Sequence, residues 1–340
     1  MSTDRGASRS VRLLIAGGTI AMSGSPARPS LEVIDALAEQ AGSSVEPEVF
    51  LLAPSVHFSP ADALSLCRRA VAVAGEGTPV VVTHGTDLLE EVAFLCDLIH
   101  DGDAPIVFTG AMRTASAPGA DGPANLQAAV GVAASEAARG LGVLVAFAGA
   151  IHAARFVRKT DSTSVAAFTS PQSGPVGYVE EGRVTLHMRP RRHPPLAVGA
   201  LDTSVEILTA ALGTPPALAE AVGDLCDGLV VSVPGAGHTP PAFLRAVTTI
   251  ARTKPVVAVP RPWRGAILHE TYGFEGAEDD LRAGVTACAG SLSAPAARIA
   301  LMACLSAGMT RPRSRRSSLA TTDAAAGPGA RRSRQWNRAA

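Results

Sequence analysis

The chain has 340 residues, 47% of them hydrophobic and 18% charged, with 30 basic and 30 acidic side chains. That composition is globular rather than disordered, and the length suits one large or two medium domains. A formal charge of zero excludes an overall electrostatic pull toward nucleic acid or an anionic membrane, so neither is expected as a partner. Aromatic residues make up only 4%, so the core must be aliphatic.

The charge is uneven. From Arg311 to Ala340 eight arginines face one acid, Asp323, without any apolar periodicity. Residues 311–340 are therefore expected to be a disordered basic tail, which leaves the remainder mildly acidic. The five cysteines are widely spaced and form no CxxC pair, which suits buried thiols in a reducing compartment. The polar start, Met1 to Arg12, has no signal core, and no run reaches the roughly 20 apolar residues of a membrane span. The expected location is the cytoplasm.

After a flexible N-terminus over residues 1–10, the chain alternates between short apolar runs and helical patterns. Val11–Ala16 and Glu48–Leu52 read as strands, and Ala61–Ala74 as a helix capped by Ser59 and Pro60. Pro79–Thr83 is the next strand. Asp87–His100 follows as a helix, with Glu90 and Glu91 placed to complement its dipole. Pro105–Thr109 and Gly142–Phe147 are further strands, with a helix at Pro123–Ala138 between them. Near-continuous apolar strands alternating with helices imply a parallel sheet buried on both faces. The run Arg189-Pro190-Arg191-Arg192-His193-Pro194-Pro195 cannot sit in a regular element and is assigned to a linker over residues 189–204. Beyond it, strands at Gly228–Val233 and Pro255–Val259 and helices at Pro241–Ile250 and Pro295–Ser306 define a second domain over 205–310. The expected fold is α/β: a large N-terminal domain over 11–188 with a mostly parallel, doubly wound sheet, and a smaller C-terminal α/β domain.

Candidate chemistry collects at the predicted strand ends. The first strand runs into Ala16-Gly17-Gly18-Thr19-Ile20, where two glycines allow the backbone a close approach to a ligand. The second motif, Thr83-His84-Gly85-Thr86-Asp87, opens a helix, and an Asp there is ordinarily a cap. Gly110-Ala111-Met112-Arg113 leads to Asp121 and Asn125, for which loop shaping is a sufficient explanation. Val157-Arg158-Lys159-Thr160-Asp161 follows, and a loop lysine is normally solvated. The eight histidines are scattered without ligand spacing, so no metal site is predicted.

Together, AGGTI, THGTD followed by two glutamates, GAMR with the later ADGP, and RKTDSTSVAAFTSP with GPVGY resemble the bacterial-type L-asparaginase family, which also contains glutaminase-asparaginases. The resemblance implies a hydrolase of linear amides that uses no cofactor and converts L-asparagine to L-aspartate and ammonia. Thr19 would be the nucleophile, and Thr86, Asp87 and Lys159 a second catalytic cluster. A threonine hydroxyl needs such an adjacent base, and a desolvated lysine can serve. Ser55, Thr86, Asp87 and Ala111 would hold the substrate. Glu270 would reach into a neighbouring subunit's site, which implies a homodimer or homotetramer. Two departures stand out. Val56 occupies a position where the family often has glutamine, and Ala21–Pro29 lacks the tyrosine of the family's flexible lid. They leave as alternatives a glutaminase, another small-amide hydrolase, or a catalytically weak amino-acid-binding homologue.

Overall fold

The computed structural model describes residues 10–41 and 44–309, and the chain forms two compact units that divide between Pro195 and Leu196. The basic tail over 311–340 and most of the N-terminal stretch lie outside the described residues. Ser10 is described, and its hydroxyl donates to Glu46.

The first unit is built on an eight-stranded sheet. Five strands run parallel in the order Val143–Phe147, Ile106–Thr109, Val80–His84, Val11–Ala16, Val45–Val49. Three antiparallel strands, Ala150–Ala153, Gly177–Glu180 and Arg183–Leu186, extend it on the far side of Val143–Phe147. Helices α1 (Leu31–Ala41) and α4 (Gly122–Ala134) cover one face, over Leu13, Ile15, Val81 and Val107. The alternate positions Leu14, Val82 and Phe108 are equally buried, because α2 (Pro60–Gly75) and α3 (Leu89–Ile99) pack on the sheet and on each other. A strand covered on both faces has no polar side to show, which is why these segments are continuously apolar.

Local chemistry explains the best-read helix. The Ser59 hydroxyl accepts from the Asp62 amide at 3.2 Å, the Asp62 carboxylate accepts from the Ser59 amide at 2.9 Å, and Pro60 occupies the first turn.

Three of the expected elements differ from the structure by more than one residue at a boundary. The strand expected at Glu48–Leu52 lies at Val45–Val49. It is an edge strand with Glu46, Pro47 and Val49 exposed, so two-sided burial leaves no mark on it. The helix expected to begin at Asp87 begins at Leu89, after a turn over residues 86–88. The helix expected to reach Ala138 stops at Ala134, and a 3-10 turn over Glu136–Ala138 follows.

The irregular stretch after residue 188 has no ladder of its own, and its first half is fastened to this unit. Arg189 donates to the carbonyls of Ala137 and Arg139, and Arg192 to those of Gly102 and His100. His100 caps the end of α3, where carbonyls lack helical partners. His193 faces the buried Asp97 carboxylate at 3.3 Å, and the other Asp97 oxygen accepts from the Val143 amide at 3.0 Å. Burial pushes the Asp97 carboxyl up, but the His193 hydrogen bond and charge and the Val143 amide outweigh it and hold it below its ordinary 3.8. Asp97→Ala should cost on the order of 3 kcal/mol in chemical denaturation near neutral pH, because it strands buried polar partners. A carboxyl depressed in the fold stabilises above its unfolded value and loses that contribution as pH falls through its folded value. The gap between wild type and variant should therefore narrow as pH drops below 3.8.

The second unit carries a four-stranded parallel sheet, Val205–Thr209, Gly228–Val233, Val256–Pro260 and Ala287–Cys288. Its core joins Leu208, Val231 and Val256 to Phe243 and Val247 of α6 (Pro241–Ile250) and Leu281 of α7 (Glu278–Gly284), with α5 (Pro216–Leu225) beside them. The last helix, α8 (Ala294–Ser306), sets Leu301 against Gly228.

Candidate active site

In the first unit, neighbouring parallel strands end level with one another: Ala16 pairs with His84, and Thr83 with Thr109. Their carboxyl-end loops then pack directly on each other, and missing side chains allow it. A Cβ on Gly17 would lie 2.4 Å from the Ala53 carbonyl oxygen, and one on Gly18 2.5 Å from the Cα and nitrogen of Gly85. A Cβ on Gly85 would lie 2.7 Å from the Ser55 hydroxyl, and one on Gly110 2.6 Å from the His84 carbonyl and 3.3 Å from Thr86 Cγ2. Thr19 and Thr86 each follow one member of the Gly18–Gly85 contact. Four loops thus bring Thr19, Ser55, Thr86, Asp87 and Ala111 to one rim of the sheet.

Lys159 reaches the same rim from a short antiparallel pair, Arg158–Lys159 with Phe168–Thr169. Its Nζ donates to Thr86 Oγ1 at 3.0 Å and to Asp87 Oδ1 at 2.7 Å. The lysine side chain is 16% exposed and that of Asp87 62%, so the ion pair has one sheltered and one open member. Asp87 caps no helix: the N-cap of α3 is Leu88 and the Asp87 carboxylate is turned to the lysine. Thr86 and Ser55 are buried, and Ser55 Oγ has no hydrogen-bond partner. Thr19 is half-buried at the start of a 3-10 turn over Thr19–Ala21. His84 is fully buried beside Phe58, with Nδ1 2.9 Å from the Gly85 carbonyl. Burial pushes its imidazole down to about 4, so it is neutral and supports the loop.

Asp121 and Asn125 hold the third loop. Asp121 accepts from the amides of Met112 and Arg113, and Asn125 donates to the Gly110 carbonyl and accepts from the Ala148 amide. Ala111 is buried next to Gly122. The segment that lacks a lid tyrosine forms a small hairpin, Met22–Ser23 with Arg28–Pro29. It is tied to residues 115–116: the Ala115 amide donates to the Met22 carbonyl, and the Gly24 amide to Ser116 Oγ.

Two groups escaped the sequence reading. Glu90, expected only to complement a helix dipole, accepts the backbone amide of Lys159. In the second unit, Glu278 is buried and accepts the amides of Thr271 and Tyr272, with His238 at 3.6 Å. An acidic run, Glu278-Asp279-Asp280, gave no hint that its first member points inward. Glu270, the residue expected to serve a neighbouring subunit, lies exposed in the second unit just before Thr271.

Loops from four strand ends that gather polar side chains on the carboxyl rim of an open α/β sheet are the layout of a small-ligand enzyme. The chain belongs to the asparaginase family: residues 10–192 match the model for the N-terminal asparaginase domain, and residues 204–317 that for the glutaminase/asparaginase C-terminal domain. It is 36% identical over 310 residues to a probable L-asparaginase of Deinococcus radiodurans, covering 89% of this chain and 95% of the relative. L-asparaginase 2 of Escherichia coli is 34% identical over 249 residues, 71% of this chain and 70% of that protein. The crystal structure of a probable cytoplasmic L-asparaginase from Campylobacter jejuni superposes with a TM-score of 0.76 at 28% identity, covering 87% of this chain and 95% of that one.

Proposed function

We propose that this protein hydrolyses the side-chain amide of L-asparagine to L-aspartate and ammonia. The observation that carries the reading is the placement of Lys159 Nζ, within hydrogen-bond reach of both Thr86 Oγ1 and Asp87 Oδ1, on the rim that also holds Thr19. In this reading Thr19 Oγ1 attacks the amide carbon. Its proton passes through the Thr86–Lys159 pair to the amide nitrogen, the C–N bond breaks, and ammonia leaves an ester on Thr19. Water then adds to the ester carbon and gives a proton to the same relay, which returns one to Thr19 Oγ1 as the C–O bond breaks, and aspartate is released.

The outer face of Asp87, more than half exposed, suits the α-ammonium of the substrate. The unpartnered Ser55 hydroxyl and the backbone at Ala111 suit its carboxylate. This is acyl transfer between oxygen and nitrogen, and the proposed steps use neither metal nor cofactor. Glu270 would contribute from a second copy in a homodimer or homotetramer. The exposed aromatic rings Trp263, Tyr272 and Phe274 of the second unit support such an assembly. Among the cysteines four are buried and all five are free, which supports a cytoplasmic setting like that named for the Campylobacter relative; a relative from Haemophilus influenzae is named as periplasmic.

Ammonia release by the purified protein tests the activity. Asparagine should be preferred over glutamine in kcat/KM by about 10–200-fold, the range one extra methylene commands. Turnover of neither amide would sink the proposal, and a preference for glutamine would move it to the glutaminase activity named in a Pseudomonas fluorescens relative 34% identical over 241 residues.

A further inference from the structure

We infer that Glu90 is a positioning residue for Lys159, holding the lysine's backbone so that its ammonium is delivered between Thr86 and Asp87. The inference rests on the proposed hydrolase reading and deepens it by naming what aims the proposed relay.

The segment from Thr86 to Glu90 grips Lys159 at both ends. Thr86 Oγ1 and Asp87 Oδ1 take the ammonium, and Glu90 Oε2, one turn further along at the start of α3, takes the backbone amide. Lys159 itself lies in a strand pair of only two residues, opposite Phe168. So short a pair is a weak anchor. A lysine has four rotatable bonds, and its tip is defined no better than the backbone it hangs from. A carboxyl oxygen that accepts the Lys159 amide supplies the missing constraint from a rigid helix, whether the group is ionised or neutral.

The surroundings fit this role better than that of a solvated dipole partner. Burial pushes the Glu90 carboxyl up to about 7 against the lowering pull of the Lys159 amide, with Glu91 raising it further and the charges of Arg158 and Lys159 lowering it. A glutamate that only complemented a helix dipole would stay in water. Helix geometry alone does not demand a half-buried carboxyl here, since Glu91 beside it already supplies a first-turn acid.

The test compares Glu90→Leu, which removes the acceptor, with Glu90→Gln, which keeps an oxygen in the same place. Glu90→Leu should lose on the order of 100-fold in kcat with KM changed by less than about threefold, since small displacements of a catalytic group cost that much. Glu90→Gln should remain within about tenfold of wild type. Melting temperatures of the two variants check that both are folded. A second readout avoids turnover altogether. Acetylation of the folded protein by acetic anhydride, followed by peptide mass spectrometry, should modify Lys159 about tenfold faster in Glu90→Leu than in wild type or Glu90→Gln. Wild type that releases no ammonia would sink the hydrolase reading and leave the acetylation result to judge Glu90. Unchanged Lys159 acetylation in folded Glu90→Leu, or a Glu90→Gln variant as impaired as Glu90→Leu, would overturn the inference.

Discussion

Thr19→Ala and Thr86→Val should each abolish ammonia release from asparagine, with kcat down on the order of 10⁴-fold or more and the unfolding transition little changed. The expectation comes from the division of labour on the rim. Thr19 supplies the attacking oxygen in the proposed reaction, and the residues on either side of it, Gly18 and Ile20, carry no hydroxyl. Thr86 is buried and its Oγ1 is bound to Lys159 at 3.0 Å, so valine fills the same space while removing the hydroxyl through which the proposed relay runs. Neither change opens a large cavity: alanine shortens a half-buried side chain, and valine conserves volume. The double variant should be no worse than the poorer single one, because groups that act as one unit fail together. Additive losses would mean that the two threonines act in separate steps, and near-normal rates in both single variants would defeat the mechanism.

The second large effect is expected from Gly18→Ala. Gly18 has φ 82° and ψ 175°, a region open essentially to glycine alone, which costs any other residue on the order of 1–3 kcal/mol. Its added Cβ would also lie 2.5 Å from both the Cα and the nitrogen of Gly85, and backbone cannot swing aside as a side chain can. The two terms together suggest a loss of about 3 kcal/mol or more, and a fall in melting temperature of roughly 6–10 °C. Relief of the clash would separate the loop of Thr19 from the loop of Thr86. Turnover should therefore fall at temperatures where the variant is still fully folded. Gly131, in the middle of α4, provides the control: a Cβ there meets nothing within 4 Å, and Gly131→Ala should be neutral or mildly stabilising. A Gly18→Ala protein with wild-type stability and rate would show that the close packing of the loops is dispensable.

Much of the fold could be read locally. Val11–Ala16, Gly228–Val233 and Pro241–Ile250 stand where patterning placed them, because two-sided burial and a proline-started helix each leave a direct mark on composition. The elements that were missed or shifted lack that mark. Val45–Val49 borders solvent, α1 sits beyond a loop, and the three antiparallel strands after Phe147 are short. Their hairpin turn carries Ala148 at φ 48°, a conformation that composition does not announce.

Sequence by itself determined which chemical groups exist and which strand ends they follow: Thr19 after one strand, Thr86 and Asp87 after another, and Lys159 in a loop where only the family resemblance gave it a role. Only the tertiary structure decided that these groups meet. Strand order sets the ends of Val11–Ala16 and Val80–His84 side by side, glycine contacts close the gap, and a two-residue strand pair carries Lys159 across 72 positions of sequence to Asp87. It also set the Glu90 carboxyl against the Lys159 backbone amide, a contact that a first-turn acid of a helix does not announce. Hydrogen bonding at such a range depends on how the sheet and helices pack, and a linear pattern of residue types does not carry that information.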